Sequence, residues 1–248
     1  MSALILDEIQ SYYGISHVLH GLSLEVKEKE VVCLLGRNGA GKTTTLRSII
    51  GLTPPRSGRV SIFGNEMQGR KPYEIFRSGV RLIPQGRRIF PMLTVEENLR
   101  LALIQAGVKD EARELEKAYE MFPVLREKGR DRARTLSGGQ LQMVANARAL
   151  IGPARLILMD EPTEGLAPIL IEQIGRSILE MKQSGKTVLL AEQHLQMALN
   201  VGDRHYIIDN GHLVFQGTSA DIRADEEVQA TYLGVSKERI IAKRESTL

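Results

Sequence analysis

The stretch on which the reading of this chain turns is Gly36-Arg37-Asn38-Gly39-Ala40-Gly41-Lys42-Thr43-Thr44. It follows the apolar run Val31-Val32-Cys33-Leu34-Leu35 and leads into Thr45-Leu46-Arg47-Ser48-Ile49-Ile50, a strand, glycine loop and helix in succession. The loop fits G-x-x-x-x-G-K-[ST] at every fixed position. Glycines let the backbone curl around a phosphate chain, so that N–H groups and the helix start point at negative charge. Lys42 adds a mobile point charge for the β- and γ-phosphates, and the Thr43 hydroxyl can ligate Mg²⁺. A chance glycine-rich turn is not expected between a buried strand and a helix. The stretch predicts a nucleoside triphosphate site.

Working outward, the residues before it read as strands: Leu4-Ile5-Leu6, then Val18 to Val26, with Gly14 separating the second from Tyr12-Tyr13. An aromatic in that position either packs in the sheet or stacks on a base. Beyond the first helix, Val60 to Gly64 and Val80-Arg81-Leu82-Ile83 read as short strands, the latter ended by Pro84-Gln85-Gly86. From about 94 to 151 the texture is helical and charged, with Thr94 and Glu97 forming a capping box and Ala112, Leu115, Tyr119 and Phe122 at helical spacing. The basic run Arg126 to Arg134 reads as a solvated loop. It leads into Leu136-Ser137-Gly138-Gly139-Gln140, a small hydroxyl and two glycines opening a helix, which makes a second potential anion site.

The core resumes with Leu156-Ile157-Leu158-Met159-Asp160-Glu161, two carboxylates at the C-terminal end of a buried strand, where α/β sheets bind ligands. A Mg·ATP site needs one acid for the metal shell and one to orient or deprotonate water. A helix carrying Ile171, Ile174, Ile178 and Met181 follows, then the strand Thr187 to Ala191 with Glu192-Gln193-His194 at its end. Asn210-Gly211 marks a hairpin, and one helix from about Ser219 to Leu233 precedes a charged tail from Lys237, expected to fray. The pattern predicts an α/β fold with a helical insertion, and its resemblance to P-loop NTPases implies a core (1–90 and 152–236) with an N-terminal antiparallel β-subdomain, an inserted α-helical subdomain (91–151) and a tail (237–248).

Composition narrows the function classes. The chain has 248 residues and a net charge of +3, too small to imply a polyanion-binding surface, so no nucleic acid is expected. The single cysteine, Cys33, excludes a disulfide framework and reads as a small buried hydrophobe. No stretch approaches the ~20 apolar residues of a membrane span, and the N-terminus lacks a secretion signal's basic start. If the protein works at a membrane, another polypeptide is expected to hold it there.

Taken together, the phosphate loop, Gln85, Leu136-Ser137-Gly138-Gly139-Gln140 and Leu156 to Glu161 resemble the ATP-binding-cassette ATPases over nearly the whole chain. Within that superfamily, Pro84 to Pro91, Glu161 to Pro168 and Ala191 to His194 look like the ATP-binding subunits of importers for branched-chain and other hydrophobic amino acids; urea and amide importers have similar subunits. The resemblance implies ATP and Mg²⁺ as cofactors and a dimer in which residues Gly36 to Thr44 of one subunit face Ser137, Gly138, Gly139 and Gln140 of the other across the γ-phosphate. It implies Tyr13 stacked on adenine, Gln85 sensing Mg²⁺ and water, Asp160 on the metal and Glu161 as general base. It places Gln193 where most cassettes have a γ-phosphate histidine, with His194 a surface neighbour.

Residues Arg87 to Met92 would lie near the groove receiving the permease, with a periplasmic binding protein acting indirectly. The location implied is peripheral, on the cytoplasmic face of the inner membrane. Gln193, and Ala167 where many relatives have aspartate, suggest pairing with a non-identical ATPase subunit. A soluble cassette ATPase acting on nucleic acid or the ribosome would usually carry two cassettes or a long coiled-coil insertion.

Overall fold

The computed structural model describes residues 1–86 and 88–234. Its centre is a six-stranded sheet ordered β10-β9-β3-β8-β7-β6. These strands are β3 (Val31–Leu35), β6 (Val80–Ile83), β7 (Leu156–Asp160), β8 (Thr187–Glu192), β9 (Arg204–Asp209) and β10 (His212–Gly217). Every neighbouring pair is parallel except the β9–β10 hairpin at one edge. The order puts β3, which carries the phosphate loop, beside β8, with β7 and its two acids next but one. Both faces of the sheet are covered, which explains the unbroken apolar runs. On β3, Val31, Cys33 and Leu35 enter one core, while Val32 and Leu34 enter the other.

The second core is closed by a four-stranded antiparallel sheet, β2-β1-β4-β5. Here β1 (Ser2–Tyr13) and β2 (Ser16–Lys27) run much longer than their apolar centres, because bulges let the pairing continue past Glu8, which sits at φ +51°. Strands β4 (Ser57–Ile62) and β5 (Asn65–Glu66) complete it, and helix α1 (Lys42–Ile49) buries Leu46 and Ile49 against this core. A short helix α2 (Pro72–Arg77), absent from the sequence reading, has Pro72 at its first turn.

Between β6 and β7 the described chain is helical: α3 (Val95–Gln105), α4 (Glu111–Met121), α5 (Pro123–Glu127) and α6 (Gly138–Leu150). The Thr94–Glu97 capping box forms, with the Glu97 N–H donating to the Thr94 hydroxyl at 3.1 Å and the Thr94 N–H to the Glu97 carboxylate at 2.7 Å. The basic run after Arg126 wraps the start of α3 through backbone bonds such as Ala133 N–H to Leu93 O at 2.9 Å.

After β7 come α7 (Pro168–Gln183), β8, and α8 (Leu195–Val201), a helix that the sequence reading did not foresee. The expected helix 219–233 is instead two, α9 (Ser219–Ala224) and α10 (Glu226–Tyr232). Asp225 breaks it by leaving helical geometry and capping the second half, accepting the Val228 N–H at 2.9 Å. Arg87 and the charged tail from Lys237 lie outside the described residues.

Candidate functional site

The phosphate loop leaves β3 at Gly36, where a Cβ would stand 2.3 Å from the Ile208 carbonyl oxygen, so only glycine fits against β9. Lys42 opens α1 with its ammonium turned back into the loop, donating to the carbonyls of Gly36 at 2.7 Å and Arg37 at 3.0 Å. The same nitrogen pairs with Glu161 at 2.9 Å, and both side chains are nearly buried. The Thr43 hydroxyl donates to Asp160 at 2.9 Å. Two residues adjacent on α1 thus meet two residues adjacent at the end of β7.

Burial raises the Asp160 carboxyl above its ordinary value and the neighbouring Glu161 charge adds to this, against the bonds from Thr43 and the Gln85 backbone and the Lys42 charge. Glu161 sits at φ +45°, a conformation held by its N–H bond to Ala191 O at 2.9 Å. The Thr43 hydroxyl and Asp160 carboxylate form an all-oxygen pair facing the loop, the donor type magnesium prefers. Among the described residues no group of three acids, histidines or cysteines converges as a metal cage.

Gln85 lies at the exit of β6 with its amide donating to Glu164 at 2.8 Å, which ties it to the loop after Glu161. Gln193 and His194 are exposed at the exit of β8. His194 caps α8, its Nδ1 accepting the Met197 N–H at 3.3 Å, so its side chain is engaged in the helix start. Tyr13 ends β1, 44% exposed, with the Arg47 guanidinium 5.9 Å from its ring centre. Its ring is in no stacked pair among the described residues, whereas that of Tyr12 stacks with His17.

Ser137 and Gly138 are exposed at the start of α6, Gly139 is buried against Leu170 of α7, and Gln140 is half-buried. Ser137 and Gln140 form a capping box, Ser137 N–H to the Gln140 side chain at 2.9 Å and Gln140 N–H to the Ser137 hydroxyl at 3.3 Å. Among the described residues no hydrogen bond or ion pair links this segment to the phosphate loop. The chain brings Lys42, Thr43, Asp160 and Glu161 together and leaves Ser137 to Gln140 at the surface.

Residues 19–164 match the family described as ABC transporter. The chain is 41% identical over 228 residues to the Pseudomonas aeruginosa high-affinity branched-chain amino acid transport ATP-binding protein BraG, covering 92% of this chain and 98% of that one. It is 36% identical over 237 residues to the Escherichia coli lipopolysaccharide export system ATP-binding protein LptB, covering 94% and 98%. Among solved structures it matches an ATP-binding cassette of an ABC transporter in its ADP conformation, at 29% identity and a TM-score of 0.82, covering 93% of this chain and 98% of that one. The chain belongs to the ATP-binding family of ABC transporters. Such cassettes are ATPases that energise transport, acting as dimers with ATP at the interface and serving membrane permeases. No helix among the described residues is long and apolar enough to cross a membrane.

Around these residues the structure adds contacts by residues to which the motif reading gave no role of their own. Thr163 and Glu164 follow Glu161 in its loop, and Glu192 closes β8 at 2% exposure. The available signal was an acid ending a strand that is otherwise apolar after Thr187. A second is Asn98, fully buried on α3, which brackets Phe90 by accepting its N–H and donating to its carbonyl, both at 3.0 Å. This bracket presents Phe90 and Met92 outward, both about half exposed.

Proposed function

We propose that this cassette couples ATP hydrolysis to the import of branched-chain or related hydrophobic amino acids, working at the cytoplasmic face of the inner membrane with a permease that docks near Phe90 and Met92. The observation that carries the catalytic part is the meeting of Lys42, Thr43, Asp160 and Glu161 at one edge of the parallel sheet. The triphosphate lies along the loop from Gly36 to Thr44 with Tyr13 stacked on the adenine, and its terminal phosphate competes with Glu161 for the Lys42 ammonium. Released from that pair, the Glu161 carboxylate takes a proton from water as the water oxygen attacks the γ-phosphorus. ADP departs as the leaving group, its developing charge met by Lys42 and the loop N–H groups.

The Thr43 hydroxyl and Asp160 would hold a magnesium ion, which would supply charge neutralisation on the phosphates. Gln85 and Gln193 orient the water and the γ-phosphate, Gln193 as a neutral hydrogen-bond donor. The second wall of the pocket is Ser137 to Gln140 of a partner ATPase subunit, whose exposed helix start directs N–H groups at the phosphate. ATP is thereby bound more tightly in the closed dimer than in the open one, and this differential affinity drives closure.

Glu161→Gln is expected to abolish turnover while preserving ATP affinity; turnover near the parent rate would refute the assignment of the base. The solute class is tested in vesicles containing the chain and its co-purified membrane subunits. Radiolabelled leucine should accumulate in an ATP-dependent manner. The 36% identity to an export subunit favours a second reading, outward movement of a lipid, and lack of leucine uptake with ATP-dependent lipid extraction would support it.

A further inference from the structure

Glu192 closes β8 beside Leu35 of β3, almost fully buried, and takes no part in the chemistry assigned to Glu161 or Gln193. One of its carboxylate oxygens accepts the N–H groups of Gln193 at 2.6 Å and His194 at 2.8 Å. The other accepts the Thr163 N–H at 3.3 Å and the Thr163 hydroxyl. A carboxylate this deeply buried is tolerated because its lone pairs are filled. The donors come from two separate loops.

One loop leaves β7 and carries Glu161, held at positive φ, and Glu164, which takes the amide of Gln85. The other leaves β8 and carries Gln193 and the cap of α8. Glu192 thus spans the segments bearing Glu161 and Gln193, and Gln85 is tied to the first of these through Glu164. Both oxygens of the side chain act as acceptors here. A glutamine has one acceptor oxygen, and its NH₂ would face an N–H.

We propose that Glu192 is a positioning residue for ATP hydrolysis: it holds the Glu161 loop and the Gln193 loop at a fixed separation without touching the nucleotide. This rests on the reading of Glu161 as the base. A displacement of about 1 Å at a reacting group costs on the order of 100-fold in rate. Nucleotide affinity resides in the phosphate loop, which Glu192 does not hold. Loss of Glu192 should therefore lower kcat and spare binding.

The test uses the full chain purified with its membrane subunits, measuring kcat for Mg·ATP and ATP affinity by displacement of a fluorescent ATP analogue. Glu192→Gln should lower kcat about 10- to 100-fold with affinity changed by less than about twofold. Thr163→Val removes one donor and leaves the acid, so its kcat should fall less, and the double variant should be no slower than Glu192→Gln alone. An unchanged kcat in Glu192→Gln, or a fall matched by an equal loss of ATP affinity, overturns the proposal. Should Glu192→Gln fail to fold, Thr163→Val decides, and parent kcat in that variant overturns it. An active Glu161→Gln enzyme would instead remove the base assignment itself. A dead Glu161→Gln beside a fully active Glu192→Gln would sink the positioning role alone.

Discussion

Lys42 is the residue at which the proposed binding and chemistry intersect. Its ammonium is 3% exposed and meets two loop carbonyls and the Glu161 carboxylate, so its charge is held in place by the fold. A point charge so placed and so little hydrated binds phosphate strongly. Lys42→Ala should therefore weaken ATP binding by at least about tenfold, read by equilibrium dialysis. Unchanged affinity would mean that the loop N–H groups alone hold the phosphates. At this scale the motif was legible, because a phosphate loop is local and its spacing is set by backbone geometry. Glu192 was not, because what gives it a role is Thr163, which arrives from another strand's loop.

Among the elements, β9 shows how a strand is fastened to helices through one titratable group. The His205 ring is fully buried, its Nε2 paired with the Ser219 hydroxyl at 2.7 Å while Ser219 donates to Leu199 O at 2.9 Å, joining β9, α9 and α8. Burial, aided by the Arg223 charge and opposed by Asp203, pushes this imidazole down from 6.5 to about 4. The folded state thus favours the neutral ring. Its contribution is fully present above pH 6.5 and is lost as pH falls from 6.5 towards 4, where the unfolded chain binds the extra proton. The urea midpoint of the parent should drop across that window, and His205→Asn should show a smaller drop. Equal slopes would remove His205 as the cause.

Other elements divide by how local their signals are. The capping boxes at Thr94 and Ser137 span four residues each, and the helices begin where those residues stand. By contrast, the end of β1 and the presence of α8 depend on pairing with β2 and on a cap from His194. The Asp225 break was missed because an aspartate reads equally as a solvent-facing helix residue or as a cap, and only the bond it accepts from the Val228 N–H decides between them.

For the whole molecule, Ser137 and Gly138 are exposed and, among the described residues, no hydrogen bond or ion pair ties them to the phosphate loop, which supports the proposal that two cassettes enclose one nucleotide. Glu161→Gln with ATP should run as a dimer of cassettes in multi-angle light scattering, with Ser137→Arg added returning it to monomer. The mass of the dimer from the intact transporter should reveal a second, different ATPase beside this chain. A dimer that survives Ser137→Arg would contradict the shared pocket.

The residues 36–44, 136–140 and 156–161 predict nucleotide chemistry by their order and spacing, since backbone geometry over a few residues obliges glycine, lysine, hydroxyl and acid to stand where they do. The apolar runs likewise dictate a parallel sheet buried on both faces. The meeting of Lys42 with Glu161, the clasp of Glu192 on Thr163 and the outward placement of Ser137 belong to the packed chain alone. They join positions tens to more than a hundred residues apart, and strand order, which no local pattern encodes, brings them into contact.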